Sequence, residues 1–211
     1  MEASSMAVSV LVGLFVVLTM LQLRDFLTLL PYLLDSLFRA RGSMAMENSI
    51  PVSRMRNNIA YTLLIPFGLL LYRYRLWEPG FMQDWAPAWR LFGVFGGFLL
   101  YLLLRYLLYL LLKPRRRYDF YQLSYKASLT YFILFCVLLL LPSFGILSLL
   151  NVPEAPAQAV ILAESAFFFL LLLLRRAQIL ALSCNHLRTF SYLCGLEILP
   201  AALWVLTATV L

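Results

Sequence analysis

Residues 188–211 read RTFSYLCGLEILPAALWVLTATVL. From Phe190 onward the stretch is long enough, at 1.5 Å rise per residue, to cross the ~30 Å hydrocarbon core of a bilayer. It nevertheless holds one carboxylate, Glu197, three residues before Pro200. An ionisable group in hydrocarbon costs several kcal/mol unless it is paired, hydrated or neutralised. The reading of this helix therefore decides two things at once: the solvent the chain folds in, and the existence of a polar partner elsewhere in it.

The composition settles the first. Hydrophobic residues make up 63% of the 211 and charged residues 13%, with a mean hydropathy of +0.86. Soluble domains carry about 25% charged residues, so there is too little polar surface here for a water-facing shell. The expected fold class is all-α, a polytopic membrane helix bundle forming one integral-membrane domain over 1–211. Apolar runs at 6–23, 59–77, 89–112, 120–150, 157–174 and 190–211 predict about six transmembrane helices. No Lys or Arg precedes Arg24, so the first run is expected to stay as a span rather than act as a cleaved leader.

The connections carry the detail. After Arg24, one stripe of residues 25–39 holds Asp25, Thr28, Tyr32, Asp35, Ser36 and Arg39, with Leu and Phe elsewhere. This suits either a cytoplasmic interfacial helix bent at Pro31 or an extension of the first span packed on the bundle. Residues 41–58 form the longest polar connection and the expected site of disorder. The portion 1–58 thus precedes a five-helix body at 59–211. Trp77, Trp85 and Trp89 mark an aromatic belt around a short external loop. Gly93 and Gly97, with Gly96 beside them, form a GxxxG face that permits close helix–helix approach. Pro142-Ser143-Phe144-Gly145 predicts a kink or break in the fourth run.

Basic residues fix an orientation. Of the 17 Lys and Arg, twelve fall in the first, third and fifth connections: Arg24, Arg39, Arg41, Arg54, Arg56, Lys113, Arg115, Arg116, Arg117, Arg175, Arg176 and Arg188. Only Arg73, Arg75 and Arg90 fall on the other side. With six spans, the positive-inside rule puts both termini outside the cytoplasm. The net charge of +7 is accounted for by this topogenic pattern, and no nucleic-acid face is implied. The clusters Lys113, Arg115, Arg116, Arg117 and Arg175-Arg176 read as anchors, with recognition of anionic phospholipid or an acidic partner as the alternative.

Two basic residues remain, Arg105 and Lys126, both inside apolar runs. Arg105 lies eight residues before Lys113, hence ~12 Å deep, and Glu197 seven residues into its run, ~10 Å deep from the same side. The depths match, and Arg105–Glu197 is the predicted intramembrane pair, with Lys126 at a similar level. Pro200 leaves the Leu196 carbonyl without a helical donor, a further acceptor for Arg105. The alternatives are a snorkelling Arg105 beside a neutral Glu197, and a ligand or proton site. Glu164 has no basic residue at its depth and reads as an isolated intramembrane acid, either titrating or bonded to another helix as a neutral group.

Catalytic and metal chemistry find no purchase. There is no HExxH, GxSxG or phosphate-binding loop, and one histidine, His186, excludes most imidazole-based schemes. Cys136, Cys184 and Cys194 share no ligand spacing. No cofactor is expected.

The box Tyr192-Leu-Cys-Gly-Leu-Glu-Ile-Leu-Pro200 resembles the closing signature of the bacteroidete integral-membrane domain of unknown function 4271 family, and the similarity extends over 59–211. The resemblance marks Tyr192, Cys194, Glu197 and Pro200. It implies a bacterial inner-membrane compartment and no assigned reaction. The expected role is a non-catalytic accessory or assembly subunit bound to other membrane-protein subunits, with secretion, gliding or envelope-biogenesis machinery as the class of partner by lineage. The alternatives are a small proton-coupled carrier using Glu164, Arg105 and Glu197, and, third, an enzyme acting on lipid head groups.

Overall fold

The computed structural model describes residues 2–38, 49–112, 118–181 and 186–210, all helix and short connections. In chain order these are α1 (Glu2–Phe38), α2 (Ile50–Arg73), α3 (Pro87–Leu111), α4 (Tyr118–Leu134), α5 (Leu141–Leu149), α6 (Glu154–Ala181), α7 (His186–Leu193) and α8 (Leu199–Val210). A π-helical segment, Phe135–Leu140, joins α4 to α5, and a second, Cys194–Ile198, joins α7 to α8. The protein is a polytopic helical bundle. Five stretches of the described residues are long and apolar enough to cross a membrane: Val8–Leu37, Pro87–Leu111, Gln122–Leu149, Glu154–Ala181 and Thr189–Ala208. The sixth helix, α2, is 24 residues long but polar in its first two turns.

Residues 25–38 do not form a separate interfacial helix. They continue α1, which runs 37 residues, about 55 Å, with Pro31 inside it. The reason is packing: Leu29, Leu33 and Ser36 are buried, Tyr131 donates to the Ser36 carbonyl at 3.4 Å, and Arg175 donates to the Leu37 carbonyl at 2.5 Å. α2 likewise begins earlier than composition suggests. Residues 50–58 are its first turns rather than loop, started by Pro51, which needs no helical acceptor at the N-terminus. Residues 39–48 lie outside the described residues.

Two helix ends close by the same device. Arg75 and Asn151 have φ of 46° and 50°. Beyond each, the next amide reaches back to a carbonyl five residues earlier, Leu76 to Leu71 and Val152 to Leu147. These are Schellman closures, which cap the last carbonyls and let the chain reverse. Ion pairs at this end of the bundle join Arg90 to Glu78 at 2.9 Å and Arg73 to Glu154 at 3.3 Å. Both members of the second pair are largely exposed, and such pairs contribute ~0–1 kcal/mol.

The main core gathers Leu29, Leu33, Ile59, Ile133, Leu134 and Ile161 from α1, α2, α4 and α6. Inside a bilayer such residues gain little by leaving lipid; what holds the helices is close packing and hydrogen bonds between them. Trp77 shows both. It is buried, not a member of the external aromatic belt: its ring stacks on Trp204 of α8 at 4.1 Å, and its Nε1–H donates to the Trp204 carbonyl and Thr207 Oγ1, each at 3.1 Å. Trp85 and Trp89 are exposed.

Of the glycines of α3, Gly97 serves this tryptophan rather than a second helix backbone. A Cβ on Gly97 would sit 2.2 Å from the Trp77 ring, and one on Gly93 would lie 3.1 Å from Met82, while Gly96 faces open space. The GxxxG spacing supplied room, and side chains of the α2–α3 connection filled it.

Candidate functional site

The site lies where α3, α4, α6 and the π segment before α8 meet. Pro200 explains the local backbone. Lacking an N–H, it cannot bond the Leu196 carbonyl in the α pattern. The chain widens by one residue instead, and the Leu199 amide bonds the Cys194 carbonyl, five residues back. This widened turn carries Glu197, which is 1% exposed.

Arg105 of α3 donates to Glu197 Oε1 through Nε at 3.1 Å and Nη2 at 2.7 Å. Its Nη2 also donates to Ser128 of α4. The face of Tyr125 lies 5.3 Å from its guanidinium carbon, and Tyr125 stacks on Tyr109 at 4.1 Å. A second guanidinium, Arg176 of α6, pairs with the same Oε1 of Glu197. Arg176 Nε donates to Ser124 of α4 at 3.1 Å. The side chain of Arg176 is 2% exposed and that of Arg105 12%. One carboxylate is thus shared by two arginines on different helices, and two serines one helical turn apart on α4 take further donors. Charge-assisted bonds of this kind are about twice as strong as neutral ones.

The structure brings Arg105 and Glu197 together. The bonds of Arg105 go to Glu197 and Ser128, not to the Leu196 carbonyl. Lys126 is half-buried on α4, between the two serines in sequence. Tyr192 and Cys194 are half-buried and Pro200 is buried. Glu164 is placed elsewhere, where Ser143 of α5 donates to its Oε1; its Oε2 is buried with no hydrogen-bond partner among the described residues.

Arg175 and Arg176 require a correction. They do not stop a helix, and they do not stand in a loop. α6 continues to Ala181, so both stand inside it, and successive residues point ~100° apart. Arg176 turns into the bundle. Arg175 turns toward α4 and the end of α1, donating to Tyr131 Oη at 2.9 Å and to the Leu37 carbonyl. Lys113, Arg115, Arg116 and Arg117 lie outside the described residues.

Sequence reasoning missed Arg176, Ser124, Ser128 and the π segments. The last had a signal. Cys136-Val-Leu-Leu-Leu-Leu-Pro142 and Cys194-Gly-Leu-Glu-Ile-Leu-Pro200 share the pattern Cys-x-Leu-x-x-Leu-Pro. In both, the amide before the proline bonds the cysteine carbonyl. Arg56, read as a loop charge, is also buried and bonds Ser53 and Asn57 on its own helix.

Beside this brace of two arginines on one carboxylate lies a cavity of about 480 Å3. Arg105, Tyr125, Ser128 and Glu197 line one part of its wall, and Phe and Leu side chains from α2, α3, α4 and α6 line most of the rest. Among the described residues no group of three His, Cys, Asp or Glu could hold a metal ion. No family model, curated protein or solved structure matches the chain.

Proposed function

We propose that this protein is a non-catalytic accessory or assembly subunit of a larger membrane complex, acting through its helix faces and connecting loops. The observation that supports it is the double engagement of Glu197. A carboxylate already bonded to guanidinium groups from two other helices is a structural tie, and a carrier acid would have to release those bonds in every cycle. The basic run Lys113, Arg115, Arg116 and Arg117, on the side opposite Arg73, Arg75 and Arg90, supports a bacterial inner-membrane placement with both termini periplasmic, provided α2 crosses with the other five spans. The resemblance of the Tyr192–Pro200 box points to the same compartment. Lys113, Arg115, Arg116 and Arg117 would then meet anionic phospholipid or an acidic partner on the cytoplasmic side. Purification from native membranes in a mild detergent tests this reading. It expects a second protein at fixed stoichiometry; a chain recovered alone or only with copies of itself overturns it. The cavity beside Arg105 favours a second reading, a small carrier, which expects vesicle uptake of a solute that depends on Arg105 and Glu197.

A further inference from the structure

We propose that the cavity beside the brace binds a lipid-soluble quinone, its ring set among the aromatic side chains and one ring carbonyl accepting from Arg105. This concerns binding alone, goes beyond the subunit reading and does not depend on it.

Three observations carry it. The first is the wall. At about 480 Å3, the cavity falls in the ~300–1,000 Å3 range of ligand pockets. More than half of the residues lining it are Phe or Tyr, against 15% aromatic residues in the whole chain. Phe67, Phe98, Phe132, Phe135 and Phe168 already form ring pairs with centroids 5.0–6.3 Å apart. A flat ring joins such a set through edge-to-face and offset contacts that a flexible acyl chain does not make. The second is a donor. Arg105 lines the cavity together with Glu197 and Ser128, the two residues to which it donates. Those bonds use Nε and Nη2, and Nη1 has no hydrogen-bond partner among the described residues. A ring carbonyl takes an N–H of Nη1 without bringing a further charge into the bundle. The same guanidinium repels a cationic ring. The third is access. Tyr61 of α2 and Tyr106 of α3 line the cavity and are themselves 61% and 47% exposed. The cavity thus reaches the outer surface beside these two helices, where a quinone dissolved in the bilayer enters from the side and leaves its tail in lipid.

The full chain in phosphatidylcholine nanodiscs is titrated with tritiated 2,3-dimethyl-1,4-naphthoquinone, and retention is read against empty nanodiscs. The ring of this probe is fully substituted, so cysteine thiols do not add to it. Unlabelled 2,3-dimethylnaphthalene, the same rings without the carbonyls, and oleate serve as competitors. Saturable retention of one quinone per chain is expected. The hydrocarbon should compete at least ~10-fold more weakly than unlabelled quinone, the loss of one hydrogen bond from a charged donor. Oleate should compete no better than the hydrocarbon. Leu129→Phe on α4 and, separately, Leu102→Phe on α3 add bulk to the cavity wall while every brace residue stays in place. Each is expected to weaken retention at least ~5-fold, judged in protein that melts as the parent does. Retention no greater than that of empty nanodiscs overturns the proposal. So does a hydrocarbon or an oleate that competes as well as the quinone, or a filled, stably folded variant that binds as the parent does.

Discussion

Replacing Glu197 by Leu should cost far more than replacing either of its arginines. At an effective dielectric of ~20, each guanidinium–carboxylate contact near 4 Å is worth roughly 4 kcal/mol before desolvation is counted. Leu at 197 removes two such contacts and takes from Arg105 and Arg176 the carboxylate they share. Breaking a buried pair from one side costs ~3–5 kcal/mol, and here two cations lose the same partner at once. Arg105→Leu or Arg176→Leu instead leaves one neutral pair. The loss then includes a serine bond and its geometry, ~1–3 kcal/mol. Of the two, Arg176→Leu should hurt more, because Arg176 is 2% exposed while Arg105 is 12% exposed and keeps a route to the cavity. For chains of this length ~1 kcal/mol corresponds to ~2–4 °C in Tm, so Glu197→Leu should lower the melting temperature by about 6–20 °C. Tryptophan fluorescence during heating in mild detergent reads it. A Glu197→Leu variant that melts no lower than Arg105→Leu would refute the shared-carboxylate arithmetic.

Three other outcomes follow from the packing. Gly97→Ala drives a methyl into Trp77 and should destabilise by ~1–3 kcal/mol, whereas Gly96→Ala meets open space and should be neutral or gain up to ~1 kcal/mol; paired melting curves decide it. Pro200→Ala returns the missing N–H to the Leu196 carbonyl, so the widened turn should tighten and rotate Glu197 away from its arginines. The Arg176–Glu197 coupling energy from a double-mutant cycle should then fall toward zero, and an undiminished coupling counts against proline as the cause. Ser143→Ala removes the hydrogen bond to Glu164 and should lower stability by ~1–3 kcal/mol, with the loss absent in a Glu164→Leu background.

Hydropathy was enough to read the bundle, and rise per residue was enough to match Arg105 with Glu197, because depth is a one-dimensional property that a sequence carries. Direction around the helix is not. Arg175 and Arg176 looked like one basic stop, yet one quarter-turn sends them to different neighbours, and only packing reveals which enters the core. The same limit hid Ser124 and Ser128, which are unremarkable until α3 and α6 are laid beside them. Gly93 and Gly97 announced space without saying that an indole, rather than a backbone, would fill it. The start of α2 was lost for a different reason: Ser53, Arg54, Arg56, Asn57 and Asn58 are poor evidence for a helix, and burial of Val52, Arg56 and Ile59 overrides them. Pro31 and Pro142 read as bends, but α1 runs on through the first, and the π segment before the second absorbs the missing bond.

Held between two arginines, Glu197 is expected to be ionised. The infrared difference spectrum between the parent protein and Glu197→Gln, taken in lipid, tests it most directly. The substitution is expected to remove a carboxylate stretching band and to leave the protonated-acid carbonyl region unchanged. Loss of a protonated-acid carbonyl band instead would mean a neutral Glu197, and the brace described here would not exist.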